Sequence, residues 1–151
     1  MTVVLLASDS DHVFAEVDAT LATDDCEVLR VRTGAEVLPV IEAKKPDLVI
    51  LDMQIGSMGG IATCIAIRQE EGADRIDIVA VALLLDREAD VFLAQQADAD
   101  GWLIKPLDSL RLRKLAKQLL AGEDYYEGVP AESTASDASA EADEVPAGAE
   151  S

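Results

Sequence analysis

The stretch "PDLVILDMQ", residues 46–54, holds four consecutive apolar residues, Leu48 to Leu51, between Asp47 and Asp52. An apolar run that does not alternate with polar residues reads as a strand buried on both faces, as in a parallel sheet. Working outward, short runs rich in Val, Ile and Leu, mostly continuous rather than alternating, recur at 3–8 (VVLLAS), 26–31 (CEVLRV), 76–83 (IDIVAVAL) and 99–104 (ADGWLI). With 47–52 they make five expected strands. Between them lie stretches of helical periodicity. Val13, Phe14, Val17 and Leu21 mark a helix over 11–23, and Ile61 and Ile65 mark one over 59–71 behind a Gly-Gly start. Phe92 and Leu93 carry a weaker pattern over 87–97. Leu112, Leu115, Ala116 and Leu119 form one stripe over 108–121, with Asp108 or Ser109 as its cap. The second helix, 35–44, contains Pro39, which removes a backbone donor and predicts a late start or a kink. Strict alternation of strand and helix, five times over, predicts an α/β fold: a doubly wound parallel (βα)5 sheet with helices on both faces.

Bulk properties narrow the class further. The 151 residues suffice for one domain with a core. No apolar run reaches the length of a membrane span, and no charged segment with an apolar sequel opens the chain, so no signal peptide is expected and the cytoplasm is the expected compartment. Formal net charge is −18, which argues against nucleic acid and anionic membranes as partners. Of the 30 acids, 9 fall in residues 122–151, which hold no Lys or Arg. That segment is rich in Ala, Glu, Ser, Asp and Pro and lacks apolar periodicity. It is expected to be a disordered acidic tail following a domain of residues 1–121, with Tyr125 and Tyr126 as its anchors. Cys26 and Cys64 have no metal-site spacing and read as small buried hydrophobes in a reducing compartment. His12 is the single histidine and carries little weight for chemistry. Arg111, Arg113, Lys114 and Lys117 read as a solvated helix face, with a partner surface or a dock for the acidic tail as alternatives.

The chemistry is expected at the carboxyl ends of the strands, where open α/β sheets bind ligands. The first strand ends at Ser8-Asp9, the third at Asp52 and the fifth at Lys105-Pro106. If the first and third strands are neighbours, Asp9 and Asp52 face one another, with Lys105 arriving from the fifth. Two apposed carboxylates repel unless a cation or a proton intervenes. Mg²⁺ suits such oxygen donors. A lysine beside them suits a phosphoryl group, and one carboxylate can accept it as an aspartyl-phosphate.

Three segments carry a resemblance. "PDLVILDMQIGSMGGIATCIAIR" (46–68), "ADADGWLIKPLD" (97–108) and "LLASDSDHV" (5–13) resemble the receiver domain of two-component response regulators over about residues 2–121. The resemblance implies a flavodoxin-like fold with strand order 2-1-3-4-5. It implies Asp52 as phospho-acceptor, Asp9 and Asp52 as Mg²⁺ ligands with the backbone carbonyl of Gln54, and Lys105 as the phosphoryl contact. It also implies a cis bond before Pro106 and Trp102 as the switch aromatic. The implied partners are a sensor histidine kinase or a histidine phosphotransfer protein, and an unidentified output protein. The chain departs from the family at several positions. Ser8 replaces one acid of the usual pair, which predicts weaker Mg²⁺ binding. The hydroxyl position ending the fourth strand, counted back from Lys105, falls on Leu83. Gly56, Gly59 and Asp98 stand where proline, an acid and glycine are usual.

Two functions are thus in view. One is a phosphorylatable receiver, with no catalytic domain of its own, that signals through a partner or serves as a phosphate sink. The other is a pseudo-receiver that binds proteins independently of phosphorylation. An aspartate-nucleophile phosphatase fits less well, because Gln54 stands where such enzymes carry a second acid.

Overall fold

A computed structural model of the chain describes residues 1–56 and 58–127. Five strands, β1 (Thr2–Ala7), β2 (Cys26–Val31), β3 (Leu48–Asp52), β4 (Ala80–Leu85) and β5 (Gly101–Ile104), pair in parallel in the order β2-β1-β3-β4-β5. Every residue of β3 is buried, as its unbroken apolar run requires. Its side chains alternate between two cores. Val49 and Leu51 join one, which also contains Val37, Ile41, Cys64, Ile67, Val91 and Ala94. Leu48 and Ile50 join the other, with Val13, Val17, Leu112, Leu115 and Leu119. The first core is covered by α2 (Val37–Lys44), α3 (Gly60–Gly72) and α4 (Val91–Gln96), the second by α1 (Asp11–Leu21) and α5 (Ser109–Leu120). This is the doubly wound, flavodoxin-like arrangement.

Local chemistry explains where the helices begin. Ser10 caps α1, its Oγ accepting from Val13 N–H. Asp108 caps α5 by accepting from Arg111 N–H. The second helix starts late: a 3-10 turn over Gly34–Glu36 precedes α2, which leaves Pro39 in the first helical turn. An N–H there would have no partner within the helix, so the proline does no harm. Likewise a 3-10 turn over Glu88–Asp90 precedes the short α4.

Several sequence expectations are corrected. The fourth strand, expected over 76–83, runs from Ala80 to Leu85. The alternating segment before it does not pair, and Ile78 is 87% exposed. The N–H of Val79 is instead taken by the Glu71 carboxylate, and strand pairing begins only where Ala80 meets Leu48 at the start of β3. In α4, Phe92 and Leu93 are exposed while Val91 and Ala94 pack inward. In α3, Ile65 is exposed, and Thr63, Cys64 and Ile67 face the core instead. Asp98 adopts a left-handed φ of 62°. Glycine takes that conformation without steric penalty, so the aspartate is a departure the backbone registers.

The two cysteines differ. Cys64 is buried, its thiol donates to Ala97 O at 3.3 Å, and burial pushes its pKa up to about 12. Cys26 is only half-buried, contrary to the expectation of two buried thiols. Because the thiolate is the reactive form, iodoacetamide at about pH 8 is expected to modify Cys26 first and Cys64 only as the domain opens. Peptide mass spectrometry over time checks this, and equal rates would contradict it.

The packed chain extends past the expected boundary at 121. Residues 122–127 turn back along the outer edge of β5, where Tyr125 forms a parallel bridge with Gly101. The rest of the expected tail, 128–151, lies outside the described residues. Among the described residues no helix is long and apolar enough to cross a membrane.

Candidate functional site

The sheet register gathers one polar residue from the end of each of four strands. Ala7 pairs with Leu51, so Ser8 emerges beside Asp52. Asp52 pairs with Leu84 and Leu85 with Ile104, so Asp86 and Lys105 emerge together on the other side.

Asp52 is 2% exposed and fully engaged. Its Oδ1 accepts from Lys105 Nζ at 2.6 Å and from the Gln54 backbone N–H at 3.2 Å. Its Oδ2 accepts from Ser8 Oγ at 2.8 Å. Ser8 is itself buried, and its Oγ also accepts from Ser10 N–H, so the serine is locked in place. Gly60, the first residue of α3, lets that helix approach closely: a Cβ there would fall 2.6 Å from the Asp52 carbonyl oxygen. The peptide bond between Lys105 and Pro106 is cis.

Asp86 is a site residue the sequence reading did not single out. Its Oδ1 accepts from Lys105 Nζ at 3.0 Å, and its Oδ2 accepts from Gln54 Nε2 at 2.6 Å. Burial tends to raise the Asp86 pKa, but the Gln54 amide and the Lys105 ammonium outweigh it and hold the carboxyl below its usual range. Burial alone would lower the Lys105 pKa, and its bonds to Asp52 and Asp86 raise it above the ordinary value instead. Lys105 thus bridges two carboxylates as a fixed positive charge. The signal for Asp86 was present in "LLLD", residues 83–86, an apolar run ending in an acid like 48–52. Ending the strand at 83 concealed it.

The other expected site residues fall as follows. Asp9 is exposed at the mouth, its Oδ2 3.8 Å from where a Cβ on Gly56 would lie. Gln54 reaches Asp86 with its side chain, while its backbone stands in the loop after β3. Leu83 is not at the end of its strand. It lies within β4 between Leu51 and Trp102, and the strand ends two residues later at Leu85 on the same face. The side chains there are still leucines, without a hydroxyl. Trp102 is 2% exposed, packed in the same core as Leu83 and Leu85.

Among the described residues no group of three or more His, Cys, Asp and Glu is placed to hold a metal ion. The groups that the resemblance names as donors are all oxygens: the Asp52 and Asp9 carboxylates and the Gln54 main-chain carbonyl. In donor chemistry these suit a hard divalent cation such as Mg²⁺. Ser8 tests how the pocket manages charge. Ser8→Asp would place a second carboxylate against Asp52 Oδ2, and is expected to destabilise the protein in EDTA by about 3 kcal/mol, as an uncompensated buried charge does. Mg²⁺ is expected to restore most of that stability by binding the folded state. Thermal melts with EDTA and with Mg²⁺ check both halves, and a melt of the variant indifferent to Mg²⁺ would contradict the second.

A five-stranded parallel sheet in this order, with an aspartate ending the third strand and a lysine after the fifth, is the architecture of a receiver domain. Residues 4–117 match the family model of the response regulator receiver domain, and the chain belongs to that family. It is 31% identical over 104 residues to the nitrate/nitrite response regulator protein NarL of Escherichia coli K12, covering 69% of this chain and 47% of NarL. It is 25% identical over 122 residues to protein PilH of Pseudomonas aeruginosa, covering 81% of this chain and 100% of PilH. Among solved structures, the chemotaxis protein CheY4 of Vibrio cholerae superposes with a TM-score of 0.69 at 24% identity, over 79% of this chain and 98% of that one. The receiver domain of a signal transduction histidine kinase from Syntrophus aciditrophicus gives 0.70 at 27% identity, over 81% and 92%. The chain spans about half the length of several curated relatives it matches, NarL and the Bacillus subtilis regulator PhoP among them.

Proposed function

We propose that this receiver domain accepts a phosphoryl group on Asp52 from a phosphohistidine of a sensor kinase or a histidine phosphotransfer protein, and signals through a protein partner. An Asp52 carboxylate oxygen attacks phosphorus, an O–P bond forms and the N–P bond of the phosphohistidine breaks. The imidazole nitrogen keeps the electron pair of that bond and is protonated from solvent. The supporting observation is the 2.6 Å contact between Lys105 Nζ and the nearly buried Asp52. The fixed ammonium is placed to meet charge on the transferred oxygens, which is the main demand of phosphoryl transfer. Asp9, Asp52 and the Gln54 carbonyl are the residues that would hold Mg²⁺, which when bound neutralises charge between the carboxylates and the phosphoryl group. Ser8 holds Asp52 Oδ2 from the opposite side and fixes the carboxylate plane. Return to the resting state by hydrolysis of the acyl phosphate needs no separate catalytic domain.

Incubation with acetyl phosphate and Mg²⁺, read by intact mass, tests this reading. The expected result is the added mass of one phosphoryl group, and an unmodified chain at saturating Mg²⁺ would overturn it.

One observation favours the second reading, a binding module that does not respond to phosphorylation. The strand that would carry the coupling hydroxyl ends in leucine at 83, 84 and 85, and Trp102 is pinned in the core. If the domain is phosphorylated but uncoupled, amide shifts near Asp52 move while Trp102 fluorescence stays nearly constant. A large fluorescence response on phosphorylation would count against this second reading.

A further inference from the structure

Among the described residues β5 is the last strand of the sheet, so its outer edge carries backbone groups that no sixth strand of those residues meets. The chain itself meets them. After α5, Gly122 turns with φ 85°, and residues 123–127 run back along that edge. Tyr125 N–H donates to Asp100 O at 3.2 Å, and Trp102 N–H donates to Tyr125 O at 2.9 Å. Two residues on, Ile104 N–H donates to the Glu127 carboxylate at 3.0 Å. The contacts alternate along β5 as strand pairing requires.

Side chains add selectivity to the backbone pairing. The Trp102 indole N–H donates to Glu127 O at 2.7 Å, and the Tyr126 ring lies over the indole with centroids 4.4 Å apart. Arg111, on α5, grips Glu127 with both Nε and a terminal nitrogen, the Nε contact being 2.7 Å. A fork of this kind is the strong mode of carboxylate recognition. β5 is also shaped for the contact: a Cβ on Gly101 would fall 2.5 Å from Tyr125 O, so only glycine admits the backbone there. Beside the strap residues Glu123 and Tyr125, Lys114 and Lys117 are exposed.

Nothing in this set requires the occupant to be part of the same chain. We propose that the β5 edge, Trp102 and Arg111 form a binding site for an extended acidic peptide segment carrying an aromatic residue directly before a glutamate, and that residues 123–127 occupy this site in the resting protein. The partner segment adds to the sheet parallel to β5, its aromatic ring covers Trp102 and its carboxylate enters the Arg111 fork. The strap competes as a tethered ligand, so a free segment has to overcome an effective concentration on the order of millimolar. Strap release exposes backbone up to Ile104, one residue before Lys105. The site is independent of whether Asp52 is phosphorylated.

The full chain and its variants test the proposal with a fluorescein-labelled peptide of the sequence GEDYYEGV, residues 122–129. In Glu127→Ala the strap loses its carboxylate anchor while the site stays intact. Acrylamide is then expected to quench Trp102, the single tryptophan, more strongly than in the wild type. Fluorescence anisotropy is expected to show the peptide binding this variant about tenfold or more tighter than the wild type. Arg111→Ala loosens the strap equally but removes the fork, so Trp102 is again more quenched while the peptide fails to bind. Unchanged quenching in Glu127→Ala, or peptide affinity equal in Glu127→Ala and Arg111→Ala, would overturn the proposal. So would an unfolded circular dichroism spectrum for Glu127→Ala, which would make 123–127 part of the domain's fold. A concentration-dependent dimer of that variant by light scattering, without peptide binding, would assign the edge to a second copy of the chain and overturn the proposed partner.

Discussion

Asp52→Asn is expected to take up no phosphoryl mass under conditions that modify the wild type, while keeping its fold. The amide is nearly isosteric with the carboxylate but is a poor nucleophile, so the acceptor function is removed without a cavity. Its oxygen can still accept from Lys105 Nζ and the Gln54 N–H, which now meet Oδ1 at 2.6 and 3.2 Å. Its NH₂ group would face Ser8 Oγ, which at present donates to Oδ2. A hydroxyl accepts as readily as it donates, so the serine can reverse its role. Asp86 remains to hold Lys105 in place. Intact-mass spectrometry and a thermal melt on the same sample separate chemistry from folding. An adduct that persists in the variant would place the acceptor elsewhere.

A large stability effect outside the cores is expected at Arg68. Its guanidinium on α3 donates to the Asp98 carbonyl, to the Glu71 carboxylate, to the Val79 carbonyl and, at 2.6 Å, to Asp100. Glu71 in turn accepts from Val79 N–H, and Asp100 accepts from Val81 N–H. One side chain therefore ties α3 to the lead-in of β4 and to the turn before β5. Glu71 is well shielded, and removing its partner strands a carboxylate there. Asp100 is about a third exposed, so its share is screened by water. Arg68→Ala is expected to destabilise the domain by about 3 kcal/mol. Arg68→Lys is expected to recover only part of this, because one ammonium cannot replace a planar fork serving four acceptors. Urea unfolding checks both. A loss below about 1 kcal/mol for the alanine variant would mean that water satisfies the carboxylates and the cluster is a surface feature.

Arg68, Glu71 and Asp100 show why part of this protein was hidden in its sequence. Each is an ordinary charged residue in a helix or a turn, and no periodicity marks it. Their meeting depends on where β4 enters the sheet, which is set by its pairing with β3 and not by its own composition. The same cause displaced the fourth strand. The segment 76–79 is as β-like as 80–83, but only residues from Ala80 onward find a partner. The start differs by four residues and the end by two, both even numbers, which keeps every side chain on its face. The faces of the β4 residues are therefore as expected, while the strand ends at Leu85 rather than Leu83 and Asp86 follows it.

Local pattern alone determined a good deal about this protein. Mostly apolar runs separated by helical stripes specify five parallel strands and five covering helices, because a sheet covered on both faces needs apolar residues on both sides of its inner strands. The acids and the lysine at the ends of three runs mark the rim where chemistry is expected, since a strand buried on both faces can present polar groups only where it leaves the core. Tertiary structure alone decided what those groups touch. Lys105 reaches Asp52 across 53 residues and Asp86 across 19, and Trp102 meets Glu127 across 25. Such contacts depend on strand register and on the path of the chain after α5. Both are set by the summed packing of the whole domain, to which no short stretch of sequence has access.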